Sequence, residues 1–127
     1  MTNRVWRVLG ALALAGCIHR APLVETANPN VLTEQQIRDA RAASIYDVIA
    51  RLRPEYLRDR GPISISSSDR DVATVFLNSQ EYGPIDILRN VPSSDIAEVR
   101  YYSGIDAVTK FGRWYGTGVI QLISRDH

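Results

Sequence analysis

Apolar residues change period several times along this chain, and each change marks an element. Val8 to Ala15 form a nearly unbroken apolar run behind Arg4 and Arg7. Residues 18–31 mix polar side chains with Pro22 and Pro29, keep no period, and read as a flexible tether. Thr33-Glu34-Gln35-Gln36 has the form of a capping box, so a short helix with Ile37 and Ala40 on its apolar edge is expected to start at Thr33. A second start falls at Ser44, with Asp47 adding negative charge to the first turn. Ile45, Val48, Ile49 and Leu52 then recur at i, i+3, i+4 and i+7, a helical stripe that Pro54 should end at Arg53. Arg51, Arg53, Arg58 and Arg60 cluster near that end and read as solvated charge.

Beyond Gly61-Pro62 the period becomes that of strands. Ile63 and Ile65 alternate with polar residues, Ser66 to Arg70 read as a loop, and Val72 to Leu77 are β-branched and apolar enough for a buried strand. Pro84 to Arg89 suit a helix of one or two turns with Pro84 in the first. Ile96 to Tyr102 read as a strand with Val99 and Tyr101 on one face and Arg100 and Tyr102 on the other. Gly104 to Lys110 read as a turn or short helix, and Gly118 to Ser124 as the last strand. Helices first, short strands with short helices after, predict an α+β domain: a small mixed β-sheet with N-terminal helices.

The N-terminal pattern acquires a meaning from its last four residues. A basic start, a short apolar run and small residues are the layout of a secretory signal, and the run is shorter than the ~20 residues of a membrane-spanning helix. Leu14-Ala15-Gly16-Cys17 resembles the lipobox of bacterial lipoproteins. The resemblance implies a signal peptide over residues 1–16, cleavage between Gly16 and Cys17, and fatty acylation of Cys17 (palmitate or a similar chain), which places residues 17–31 as a lipidated tether and 32–127 as the domain. Several acyl chains give stable anchoring where one gives marginal binding. Ile18 follows the cysteine rather than the aspartate of inner-membrane retention, so the expected location is the outer membrane, on its periplasmic face.

Composition narrows the chemistry. The chain has 127 residues, 45% hydrophobic and 23% charged, which is the make-up of a globular protein. Without Arg4 and Arg7, 13 of the 15 basic residues remain against 14 acidic ones, leaving no electrostatic footprint for nucleic acid. Cys17 is the one cysteine, so lipidation spends the chain's thiol and rules out an internal disulfide. The histidines, His19 and His127, lie in the tether and at the end, so no metal cluster or Cys/His nucleophile can be assembled. Asp69 and Asp71 flank Arg70 without the spacing of a calcium loop, and Ser66, Ser67 and Ser68 lack a partnered histidine. Gly104, Gly112, Gly116 and Gly118 fit neither Walker nor dinucleotide spacing and read as backbone geometry. No cofactor and no catalytic residue is expected, and the chain reads as a non-enzyme.

The second half carries a further resemblance. Val75-Phe76-Leu77-Asn78 is followed by Ile87-Leu88 and Val91-Pro92, then by Ile96-Ala97-Glu98-Val99-Arg100-Tyr101-Tyr102. Phe111-Gly112 and Gly116-Thr117-Gly118-Val119-Ile120-Gln121-Leu122-Ile123-Ser124-Arg125 close the series. This order resembles the plug domain of TonB-dependent outer-membrane receptors, and the helix with Ser44, Asp47 and Leu52 resembles the earlier plug helix. Ser79 stands where that family has a turn glycine, Tyr102-Ser103-Gly104 replaces its strand-end Arg-Gly, and residues 18–31 hold no TonB box. The chain is also expected to lack the receptor barrel. The resemblance therefore implies a plug-like fold and a habit of envelope protein contacts, not transport. The expectation is a non-enzymatic, lipid-anchored accessory protein that contacts an outer-membrane or periplasmic protein. The alternative is a small-ligand module, for a metal chelate for example, associated with uptake and carrying a pocket near Trp114. Candidate contact residues are Arg113, Trp114 and Tyr115 in their Gly-flanked turn, with Tyr82 and Tyr102, because exposed aromatics and arginine dominate binding hot spots. An exposed sheet edge able to add a partner strand is the other candidate surface.

Overall fold

A computed structural model describes residues 28–59 and 72–125. The signal peptide, Cys17, the tether up to residue 27, the strand expected at Ile63–Ile65 and the loop with Asp69 and Asp71 lie outside the described residues.

The chain forms β1 (Val31–Leu32), α1 (Glu34–Asp39), α2 (Ile45–Leu52), β2 (Thr74–Leu77), β3 (Gln80–Pro84), β4 (Ile96–Tyr102), α3 (Gly104–Phe111) and β5 (Val119–Ser124), with 3₁₀ turns between them. The five strands make one mixed sheet in the order β1-β4-β5-β2-β3, and the fold is α+β. β5 is central, parallel to β2 and antiparallel to β4. β1 pairs antiparallel with β4 at one edge, and β3 with β2 at the other.

Local chemistry sets both N-terminal helices. The Thr33 hydroxyl accepts from the Gln36 amide while the Gln36 side chain accepts from the Thr33 amide, closing the capping box. Ser44 caps α2 by accepting from the Asp47 amide at 3.2 Å. Ile45, Val48 and Ile49 of α2 and Ile37 of α1 are buried against one face of the sheet, together with Val75, Val99, Ile120 and Leu122. The arginines near the end of α2 are not simply solvated charge. Arg51 donates to the Ala40 carbonyl at 2.8 Å and Arg53 to the Pro29 carbonyl at 3.2 Å, so both tie neighbouring segments to the helix.

Three differences from the sequence expectation have physical causes. The domain starts before residue 32, because residues 28–31 of the expected tether are bound into the fold. Tyr101 donates its amide to the Asn30 carbonyl at 2.8 Å, Val31 pairs with Arg100, and the Tyr56 hydroxyl donates to the Pro29 carbonyl. β3 was hidden because its residues are largely exposed and show no alternation; pairing with β2 across the two-residue Asn78-Ser79 turn makes it a strand. Asn78 takes the left-handed conformation (φ 56°), a state that asparagine tolerates, so the missing glycine at Ser79 is not needed. Pro84, expected in the first turn of a helix, instead ends β3 and precedes a 3₁₀ turn over Ile85–Asn90.

Leu32 is fully buried, so Leu32→Ala should lower the unfolding free energy by about 2–5 kcal/mol, read by urea titration. A flexible residue at that position would tolerate the change. Tyr56 stacks on Tyr101 with ring centroids 4.6 Å apart, and burial pushes its phenol pKa above the ordinary value of 10.0. The folded state therefore holds this proton more tightly than the unfolded chain. Its stabilisation is complete below pH 10.0 and is lost as pH rises through the raised folded value. Thermal melting between about pH 9 and 11 should show that fall in the wild type, with a shallower fall in Tyr56→Phe.

Candidate functional site

The second face of the sheet carries the candidate site. Val119 and Gln121 of β5, Phe76 of β2 and Tyr102 of β4 point to this side, opposite the α1–α2 core. α3 lies over it and buries Ala107, while Phe111 and Tyr115 pack against Phe76 with centroid separations of 4.6 and 5.2 Å. The sequence places this cover tightly. A Cβ on Gly104 would come 2.4 Å from the Gly116 carbonyl oxygen, so only glycine lets the start of α3 rest on the turn that follows it. Gly112 ends α3 at φ 113°, a conformation costly for residues with a side chain. Gly116, in contrast, has an ordinary helical φ of −61°, so the four glycines do not share one explanation.

α3 divides this face into two flanks. On one, Asp106, Thr109 and Lys110 line an open cleft of about 570 Å³ with Asn28, Glu98, Arg100 and Tyr102. The cleft is polar, and Arg100 and Glu98 form an ion pair within it. Arg100 donates to Glu98, and this bond holds the guanidinium further toward its charged form. Lys110 donates to the Tyr102 hydroxyl and sits 4.3 Å from the centre of that ring. Tyr102 in turn donates to Gln121 Oε1 at 3.2 Å, and the buried Gln121 amide donates to the Asn78 carbonyl. Asn78 closes the chain by accepting from the Ser124 amide at 3.0 Å. A polar relay thus runs beneath the cleft from α3 to the β2–β3 turn.

On the other flank Ile105 and Val108 stand exposed at 83% and 37%, and Trp114 at 71%. Arg113 lies over the indole, 4.7 Å from its centre. The Tyr115 hydroxyl donates to Glu81 of β3 at 2.6 Å, which ties this turn to the sheet edge. Tyr82, on that edge, is 45% exposed.

The five expected contact residues therefore do not form one cluster. Tyr102 belongs to the cleft; Arg113, Trp114, Tyr115 and Tyr82 lie toward the other flank, and Tyr115 is half-buried in the packing rather than free for a partner. The cleft lies between β4 and α3 and does not include Trp114. The sheet edges are blunted. β1 spans two residues, and β3 carries a bulge opposite Val75/Phe76 and ends in Pro84, which has no amide to donate. Strand addition is thereby disfavoured. Sequence reading missed Glu98, Lys110, Asp106 and the buried Gln121, although the alternation that puts Arg100 and Tyr102 on one strand face also puts Glu98 there. Among the described residues, no group of three or more His, Cys, Asp or Glu is positioned to hold a metal ion.

Gly104→Ala should force α3 off the Gly116 carbonyl and cost about 1–3 kcal/mol, despite alanine's better helix propensity. Gly112→Ala, where a Cβ meets open space, should strain the backbone alone, and the Trp114 fluorescence should move more in the first variant than in the second.

No protein-family model, curated protein or solved structure matches the chain in comparison.

Proposed function

We propose that this chain is a lipid-anchored envelope protein, held at the outer membrane through Cys17, whose plug-like domain acts by binding a protein partner rather than by catalysis. The observation that carries the binding part is the cleft between α3, β4 and the segment entering β1. It is concave, about 570 Å³, and lined by Tyr102, Arg100, Glu98, Asp106 and Lys110. Tyrosine and arginine are enriched at protein interfaces, and paired charges along a rim set the register of a partner more than its affinity. The buried relay through Gln121 fixes Tyr102 and Lys110 before any partner arrives, which lowers the ordering cost of association. The lipobox and the plug-like order of motifs support the anchoring and the envelope setting.

A second reading is favoured by the size of the cleft. Its volume falls within the roughly 300–1,000 Å³ of small-molecule sites, so a polar ligand associated with uptake would fit.

The test is site-specific photocrosslinking from Thr109, at the rim of the cleft, in intact envelopes. The expected result is one discrete adduct with a membrane or periplasmic protein, weakened by about tenfold or more when Asp106→Arg reverses a rim charge. Absence of any adduct, together with a small-molecule-induced rise in melting temperature, would favour the ligand reading.

A further inference from the structure

The apolar flank of α3 is left unexplained by the cleft. Ala107 and Phe111 turn inward on α3, while Asp106, Thr109 and Lys110 face the cleft. Ile105 and Val108 are then left on the far flank at i, i+3, where helix side chains adjoin. The close approach of Gly104 to Gly116 seats the end of the Arg113–Tyr115 turn against the start of this helix, and Trp114 is exposed on that turn. Three large apolar side chains projecting from one short unit, with an arginine over the indole, form an amphipathic edge. Such an edge suits the boundary between headgroups and acyl chains, where an indole keeps an apolar body and a polar N–H, and a guanidinium meets phosphate.

The position of the tether chooses the occupant. Ten residues separate Cys17 from Asn28, a span of about 40 Å at full extension. Asn28 lines the same cleft as Asp106, Thr109 and Lys110, so the anchored chain enters the domain alongside α3. A domain of this size has a radius of gyration of about 13 Å, so a leash of that reach keeps it at the bilayer. Tethering turns even a weak surface contact into an intramolecular one.

We infer that Ile105, Val108 and Trp114 form a membrane-contact ridge that seats the domain on the phospholipid surface to which Cys17 anchors it. The inference rests on the anchoring reading above and is independent of what occupies the cleft. Seated this way, the domain has a fixed orientation, and the cleft opens beside the membrane rather than away from it.

Trp114 is the one tryptophan after residue 17 and reports directly on this contact. Acylation of Cys17 is read separately, by mass spectrometry of the full mature chain. The lipidated protein is placed in phosphatidylethanolamine–phosphatidylglycerol vesicles, with and without bromine-labelled acyl chains. The ridge predicts blue-shifted Trp114 emission that brominated lipid quenches. It also predicts that the quenching falls several-fold in Ile105→Ser/Val108→Ser, two exposed positions where the change leaves the core intact. The Cys17→Ser chain added to the same vesicles should bind weakly, and the double serine variant of it about tenfold more weakly still. Water-like, unquenched Trp114 emission on an acylated chain overturns the ridge and leaves the anchor standing, and it returns Trp114 to a protein contact. A chain without acyl groups whose Trp114 is still quenched sustains the ridge and overturns the anchor; loss of both signals overturns both.

Discussion

The structure depends on a strand that is buried on both sides. Val119, Ile120, Gln121 and Leu122 of β5 are all buried, so each face of the sheet needs its own cover. A parallel neighbour, β2, reinforces this, since parallel pairing is found where both faces are shielded from water. Two helices and their 3₁₀ turns supply one cover. The other falls to α3 and a single aromatic turn, and eight residues of helix cannot roof a five-stranded sheet. The polar cleft on one side of α3 and the apolar ridge on the other are what this narrow roof leaves at its margins. The surface features of the domain follow from an asymmetry of coverage.

Gln121 shows how the narrow cover is reconciled with burial. A glutamine between Ile120 and Leu122 places an amide on the thinly covered face, where leaving it unpaired would cost about 1–3 kcal/mol. Its oxygen accepts from Tyr102 and its nitrogen donates to Asn78, so both ends are satisfied from strands on either side of β5. Such a network fixes geometry as much as it stabilises. It locks Tyr102 and Lys110 at the cleft and braces the left-handed Asn78 on which the β2–β3 turn depends. Cleft and hairpin are joined through a buried amide, not through apolar packing.

What was legible in the sequence was whatever is determined by near neighbours. The capping box at Thr33, the Ser44 cap and the stripe through Ile45, Val48 and Ile49 are local signals, and the helices lie where those signals put them. The faces of β4 were legible for the same reason: Val99 and Tyr101 alternate with Arg100 and Tyr102 whatever lies across the sheet. β1 and β3 were not, because neither has a periodic pattern: β1 exists through the long-range pairing of Val31 with Arg100, and β3 through a hairpin whose Asn78-Ser79 turn lacks the glycine that would signal it. The candidate site was half legible. Exposure of Trp114 could be anticipated from its Gly-flanked turn, but its separation from Tyr102 is set by where α3 crosses the sheet, which no local signal encodes.

Among the described residues the sheet is shielded on both sides: β5 is buried on both faces, and Phe76, Phe111, Tyr102 and Tyr115 form a second small core under α3. The aromatic contacts that hold it (Phe76–Tyr115, Tyr102–Phe111 and Phe111–Tyr115) are edge-on or nearly so, the arrangement in which rings attract beyond their buried area. Because the roof is held by aromatics and by the Gly104–Gly116 approach rather than by length of helix, its outer surface can be made of exposed apolar residues without loosening the core beneath. The residues that close the sheet and those that face outward are therefore separable on α3. Ala107 and Phe111 serve the fold, and Ile105 and Val108 are free to serve contact.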